Sequence, residues 1–221
     1  MTALFDRTAV HYEWMCRVMS FGSGQRYRRQ ALVRAGLSDG MKVLDVATGT
    51  GLVAREVVDL VGNARQVVGL DASRGMLQES QLRNPSTLVQ GLGDTLPFRN
   101  DSFNFLANGY GVRHIVNLEY TFREYHRVLK PEGRLLLLEI SRPCSRMAFQ
   151  LARLYLGKLG PIIARLGTGD RDAALLMKNF WATITEGASP ELILGALNRS
   201  GFREATHRVL LGICSEYVAL K

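Results

Sequence analysis

The order of apolar segments along this chain predicts an α/β fold, a mostly parallel sheet covered by helices on both faces. Three observations carry the prediction. From residue 42 onward, short apolar runs alternate with amphipathic stretches of helical length, which is the rhythm of βαβ units. The first run ends in a small-residue loop, Gly49-Thr50-Gly51, that leads directly into a helix. The last two runs are separated only by Leu211-Gly212, and so short a connection joins neighbouring strands as an antiparallel hairpin.

Each element follows from its residues. Residues 42–46 read as a buried strand, and 52–61 as a helix closed by Gly62. A strand over 66–70 ends at Asp71, and Ser73 caps a helix that reaches about residue 82. Residues 87–89 make a weaker strand and 102–107 a stronger one. Leu118, Phe122, Tyr125 and Leu129 share one face of a helix over 118–129, which Pro131 and Gly133 terminate. The run RLLLLEI, residues 134–140, is the clearest strand of all. Ser189-Pro190 opens a helix with a cap and a proline at its first position, and Gly201 ends it. Strands over 204–210 and 213–220 close the chain. Two regions stand outside the rhythm: residues 1–36, a helical N-terminal cover, and 143–187, a helical insertion or lid over the strand ends. The whole, 1–221, reads as a single domain.

Composition bounds the function classes. A chain of 221 residues with 47% hydrophobic content folds around one real core and is not disordered. Cys16, Cys144 and Cys214 are far apart and form no CxxC pair. Neither a disulfide set nor metal-ligand spacing is present, so a reducing cytoplasm and no metal are expected. The run LLLLEI, interrupted by Glu139, falls far short of the ~20 residues a bilayer needs. The opening MTALFDRTAVHYEW carries Asp6 and Glu13 and lacks a signal-peptide core. The net charge of +8 is concentrated: residues 17–34 hold five arginines and no acid, and 142–171 hold six basic residues against Asp170. Such patches invite nucleic acid. Yet no stacking aromatics interleave with the arginines, and no motif for base chemistry appears. A nucleic-acid partner is therefore not expected, and a nucleic-acid methyltransferase stays as an alternative.

The loop holds the strongest chemical signal. Gly49 to Ala54 fits G-x-G-x-x-G/A, and Asp71 lies 20 residues past Gly51, where a ribose-binding acid belongs in dinucleotide folds. An NAD(P)-dependent oxidoreductase is one reading. Asp45 at the strand end weighs against it. A pyrophosphate wants bare N–H groups at a helix N-terminus, and a carboxylate beside it costs roughly 1 kcal/mol or more. S-adenosyl-L-methionine has no phosphate and offers an ammonium and a sulfonium, which favour a nearby carboxylate. Asp71 then accepts from the ribose diol in either case.

Several motifs resemble those of one family. RVLKPEGRLLLLEIS, residues 127–141, resembles a signature of the ubiquinone/menaquinone biosynthesis C-methyltransferases, and HYEWMCRVMSFGSGQRYRR, residues 11–29, resembles their N-terminal signature more loosely. VLDVATGTG, VVGLDASRGML, DTLPFRNDSF and GYGVRHIVN follow in the family's order. The resemblance implies the class I methyltransferase fold, Rossmann-like, with a mostly parallel seven-stranded sheet and a C-terminal antiparallel hairpin. It also implies that Thr50 and Asp71 contact the cofactor, that Leu92-Gly93 holds the adenine edge, and that Gly109 adds a contact. With the loop, the predicted cofactor set is Asp45, Ala47, Gly49, Thr50, Gly51, Asp71, Ala72, Leu92, Gly93 and Gly109. The chain departs from the family pattern at Leu92 (commonly Asn or Asp), Gly109 (Ser in the quinone enzymes), His114 (Asn) and Glu132 (Gly). The acceptor is left between a prenylated quinol precursor and an aromatic or polyketide-like metabolite.

Methyl transfer from a sulfonium needs alignment and exclusion of water, with no covalent nucleophile. A phenol or quinol carbon acceptor also needs a base, or a cation that stabilises the phenolate. Arg113 and His114 follow the fourth strand, at the mouth where open α/β sheets bind ligands. Arg113 is assigned to the phenolate or a bound water, and His114 to the proton, its ordinary pKa being about 6.5. The alternative is that both cap the helix at Leu118 and face solvent. Tyr12 either closes over the cofactor and acceptor or packs between helices. Residues 145–166 mix long apolar side chains with Arg146, Arg153, Lys158 and Arg165. They suit a lid over an apolar acceptor first, a homodimer face second, and a peripheral contact with an anionic membrane third.

Overall fold

The structure is a computed structural model, which describes residues 2–83, 86–143 and 145–221. Among the described residues, seven strands form one sheet: β1 (Val43–Val46), β2 (Val67–Asp71), β3 (Thr87–Gln90), β4 (Phe103–Gly109), β5 (Leu129–Ile140), β6 (Arg203–Leu210) and β7 (Cys214–Leu220). Their order across the sheet is β3-β2-β1-β4-β5-β7-β6. The first five run parallel, and β7 lies antiparallel between β5 and β6. The strand order reverses between β1 and β4, and such a switch point opens a crevice at the carboxyl ends of the strands.

Side-chain alternation divides the core between the two faces. Val43 belongs to the layer under α2 (Gly24–Arg34) and α3 (Leu52–Val61), with Ala31, Leu32, Ala54 and Val57. Leu44 and Val46 belong to the other layer, under α5 (Leu118–Val128) and α9 (Pro190–Arg199), with Phe122, Tyr125 and Leu197. The local signals act as expected. Ser73 accepts from Met76 N at 3.2 Å and caps α4 (Arg74–Gln81), and Ser189 accepts from Leu192 N to cap α9. One boundary differs. Pro131 and Gly133 are expected to stop a helix that reaches residue 129, yet residues 129–133 already belong to β5. A register shift opposite Phe103 and Phe105 and a positive φ of 62° at Glu132 accommodate Pro131 there, as a bulge does.

Outside the sheet, α1 (Thr2–Met19) and the segment α6 (Arg146–Ala152), a π-helix (Arg153–Leu159), α7 (Gly160–Thr168) and α8 (Arg171–Glu186) form a cap. Leu4 and Met15 of α1 pack with Ala164, Leu176, Met177 and Phe180 in a third apolar cluster. Polar contacts pin α1 on both sides. Arg7 Nε donates to Asp172 at 2.5 Å, and Arg55 Nη1 to Glu13 at 2.8 Å. Asp6 accepts from Ser73 Oγ at 2.7 Å and Gly75 N at 2.8 Å, so a carboxylate meets the positive end of α4. A Cβ at Gly75 would lie 2.6 Å from the Asp6 carbonyl oxygen, so glycine is what allows α1 this close. Among the described residues no helix is long and apolar enough to cross a membrane. Cys16 and Cys214 are free thiols; Cys144 lies outside the described residues.

Candidate active site

The crevice beneath the cap is a cavity of about 900 Å³. Its floor is the turn after β1. Ala47 (φ 57°), Gly49 (φ 57°) and Gly51 (φ 83°) take left-handed conformations there, which turns the chain sharply and starts α3 at Leu52. Thr48 N donates to Leu70 O at 3.0 Å, and Gly51 N to Thr48 O at 2.9 Å, so the turn is bonded to β2 and to itself. Ala47 and Gly49 line the cavity.

Asp45 is placed differently from the sequence expectation. It shares its sheet face with Val43, the face covered by α3, and it is 0% exposed. Thr48 Oγ1 donates to its Oδ2 at 2.6 Å, while Oδ1 has no partner. Burial pushes its pKa up to about 7, against the bond from Thr48. Asp45 is not part of the cavity wall, and neither are Thr50, fully buried, or Gly51. The carboxylate expected near the cofactor's cations is therefore sealed behind the turn and does not itself reach the cavity. A strand's alternation carries odd and even residues to opposite faces, and Asp45 falls with Val43 on the face under α3, which begins right after the turn.

The wall expected from the sequence to hold the cofactor is formed by the ends of β2 and β3. Asp71 Oδ2 accepts from Gly49 N and Oδ1 from Ser73 N, each at 2.8 Å. This one side chain ties both loops together and still has lone pairs for hydroxyl donors. Burial raises its pKa, against those backbone bonds. Ala72, Leu92 and Gly93 continue the wall. A Cβ on Gly93 would sit 3.1 Å from Val46 Cγ1, and one on Gly109 only 2.6 Å from Val53 Cγ2. Bare backbone is therefore what this wall presents.

The residues assigned to chemistry belong to the same cavity. Arg113, His114 and Tyr12 all line the cavity. Arg113 Nη2 donates to Glu139 Oε2 at 2.5 Å, and Arg113 N to Glu139 Oε1 at 3.2 Å. Both side chains are buried, and Arg113 Nε has no partner. Arg113 is thus no solvent-facing cap. His114 lies edge-on to Phe5 at 5.6 Å. Its surface is open to the cavity, but the protein around the ring pushes its pKa down to about 4, with the Arg113 charge adding to the effect. Tyr12 packs edge-on against Phe180 at 6.2 Å, and burial holds its phenol well above the ordinary value.

The sequence model of the ubiE/COQ5 methyltransferase family matches residues 1–221. The chain belongs to the ubiE/COQ5 methyltransferase family. It is accordingly an S-adenosyl-L-methionine-dependent methyltransferase, and the oxidoreductase alternative falls. The ubiquinone/menaquinone biosynthesis C-methyltransferase UbiE of Syntrophotalea carbinolica is 33% identical over 95% of this chain and 88% of its own. That of Geobacter sulfurreducens is 32% identical over 99% of this chain and 87% of its own. Among solved structures, a SAM-dependent methyltransferase from Aquifex aeolicus superposes with a TM-score of 0.62 at 18% identity, covering 87% of this chain and 88% of that one. A phosphoethanolamine N-methyltransferase from Haemonchus contortus in complex with S-adenosyl-L-methionine superposes with a TM-score of 0.69 at 15% identity, covering 98% of this chain and 57% of that one. At these identities the structures establish the fold.

The cavity of this family member fits the cofactor: a glycine turn for close approach, a carboxylate with free lone pairs, and ample volume. Sequence reasoning missed two residues that shape it. Glu139, read only as an interruption of an apolar strand, is the partner of Arg113 across 26 positions. Arg28, read as one member of a basic patch, is 8% exposed and lines the cavity. A signal for Arg28 was present. Gly24, Arg28, Ala31 and Leu32 are all buried on α2, so the arginine interrupts the inward stripe of a helix.

Proposed function

We propose that this methyltransferase acts on a ring carbon of a hydroxylated, quinol-like aromatic with an apolar body. The observation that carries the reading is Arg113 Nε. It is a buried donor without a partner on a guanidinium locked by Glu139, in a cavity that Leu151, Leu154, Leu159, Phe180 and Ile213 also line. An apolar body fills such a wall at about 25 cal/mol per Å² of buried surface. One hydroxyl then meets this donor. The C-methyltransferase names of the curated relatives support carbon as the site.

S-adenosyl-L-methionine supplies an electrophilic methyl when bound. The chain's own residues do the rest. Arg113 lowers the pKa of the acceptor hydroxyl and stabilises its phenolate, which raises electron density at the ring carbon. Glu139 fixes the guanidinium plane. Phe5, Tyr12 and Phe180 exclude water from the reacting centre. The phenolic proton passes to bulk water as the acceptor binds beside Arg113, not to His114. Even at the ordinary 6.5, imidazole lies below a phenol near 10 by enough to make that transfer uphill by about 5 kcal/mol, and its surroundings lower it further. The proton left on a methylated ring carbon is far more acidic, because its loss restores aromaticity. A neutral, weakly basic His114 accepts that one.

The test is transfer of a trideuterated methyl to prenylated hydroquinones and phenols, with the new bond located by NMR. Carbon methylation is expected, and exclusive methylation of oxygen or nitrogen would refute the reading. Arg113→Lys should lower kcat by about 10², with affinity for S-adenosylhomocysteine unchanged.

A further inference from the structure

A buried guanidinium is unfavourable unless a counter-charge meets it. Arg28 is 8% exposed, yet among the described residues no ion pair includes it. Its Nε donates to Leu52 O at 3.2 Å, which anchors the side chain at the start of α3 and leaves the Nη1/Nη2 fork uncommitted. A Cβ on Gly24 would come within 3.0 Å of Nη1, so the glycine one turn earlier makes room for the fork.

The position of Arg28 in the crevice defines what it meets. Asp71, Ala72, Leu92 and Gly93 stand at the ends of β2 and β3, on one side of the turn after β1. Arg28 shares the cavity with Cys16 and Tyr110, and its charge is felt at both. Tyr110 follows β4, on the other side of that turn. Asp71 and Arg28 thus line one cavity with the glycine turn as its floor, and a tail laid from one to the other crosses that turn. Asp45, sealed under α3, offers that tail no direct contact.

We propose that Arg28 holds the α-carboxylate of the cofactor's methionine moiety through a bidentate pair. A planar guanidinium fork matches a carboxylate in geometry, and two charge-assisted bonds form at once. Arg28 is in this sense a binding residue, and it selects the intact amino acid over truncated nucleosides.

Calorimetry with two ligands tests this in the absence of acceptor. S-adenosylhomocysteine carries the carboxylate, while 5′-methylthioadenosine has the same nucleoside and sulfur without it. For Arg28→Met, affinity for S-adenosylhomocysteine should fall about tenfold to a hundredfold, while that for methylthioadenosine stays within about twofold. Arg28→Lys keeps the charge and loses the fork, so it should show the same selective loss at about tenfold, and it serves if the methionine variant does not fold. Equal losses for both ligands would mean that Arg28 only supports the fold. No loss for either would mean that the fork points to the acceptor. Each of these results overturns the proposal, and wild-type binding of both ligands shows the cofactor site itself intact.

Discussion

Titrating stability against pH, with and without Asp45, tests how deeply that carboxyl is sealed. Its pKa rises from an ordinary 3.8 to about 7 because burial disfavours the charged form. Between those values the folded chain keeps a proton that the unfolded chain has released. The stabilisation is fully present below about pH 4, declines as pH rises through the window, and is gone above about pH 7. A gap of about three pH units at about 1.4 kcal/mol each is worth ~4 kcal/mol. His114 acts in the opposite direction, since its lowered pKa favours folding as pH rises toward 6.5. Asp71, also raised, and His126 and His207, also lowered, add to the raw wild-type curve, so the informative quantity is the difference between wild type and Asp45→Asn. The variant keeps an acceptor for Thr48 Oγ1 and has no proton to lose. Urea midpoints across about pH 4.5 to 7.5 should show wild type losing about 1.4 kcal/mol per pH unit relative to the variant over the middle of that range. A flat difference, or one growing in favour of wild type as pH rises, would mean that Asp45 is held ionised. The account of a sealed, helix-covered carboxyl would then fail.

Two further outcomes follow from the geometry. Asp71→Asn places an amide N–H against one of the two backbone donors that the carboxylate now accepts. Bonds to a charged group are worth about 1.5–3 kcal/mol, so S-adenosylhomocysteine and methylthioadenosine should both weaken by about tenfold or more in calorimetry, unlike the selective loss at Arg28. At Gly109, an added Cβ lies 2.6 Å from Val53 Cγ2. Gly109→Ala should therefore cost about 1–3 kcal/mol of stability by overpacking, and adding Val53→Ala should recover most of it in thermal melts. A variant pair whose effects simply add would show that the two sites do not touch.

The amino-acid sequence was sufficient for everything that depends on neighbours along the chain. Periodicity in 118–129 and the caps at Ser73 and Ser189 act within a few residues, so the elements and the sheet were legible in the residues alone. The glycine turn was legible for the same reason, and the acid-then-glycine order pointed to the cofactor that the family uses, although Asp45 itself is sealed under α3. What tertiary structure alone decided was where side chains of distant elements point and what they meet. Asp45 lies on the face that α3 covers, and the sequence does not say which face that is. Arg113 and Glu139 become one buried pair only because β4 and β5 are adjacent. Arg28 enters the cavity only because α2 packs on α3. The tilt and docking of elements convert a basic patch into a binding group, and an apparent pH-7 base at His114 into an imidazole that stays neutral.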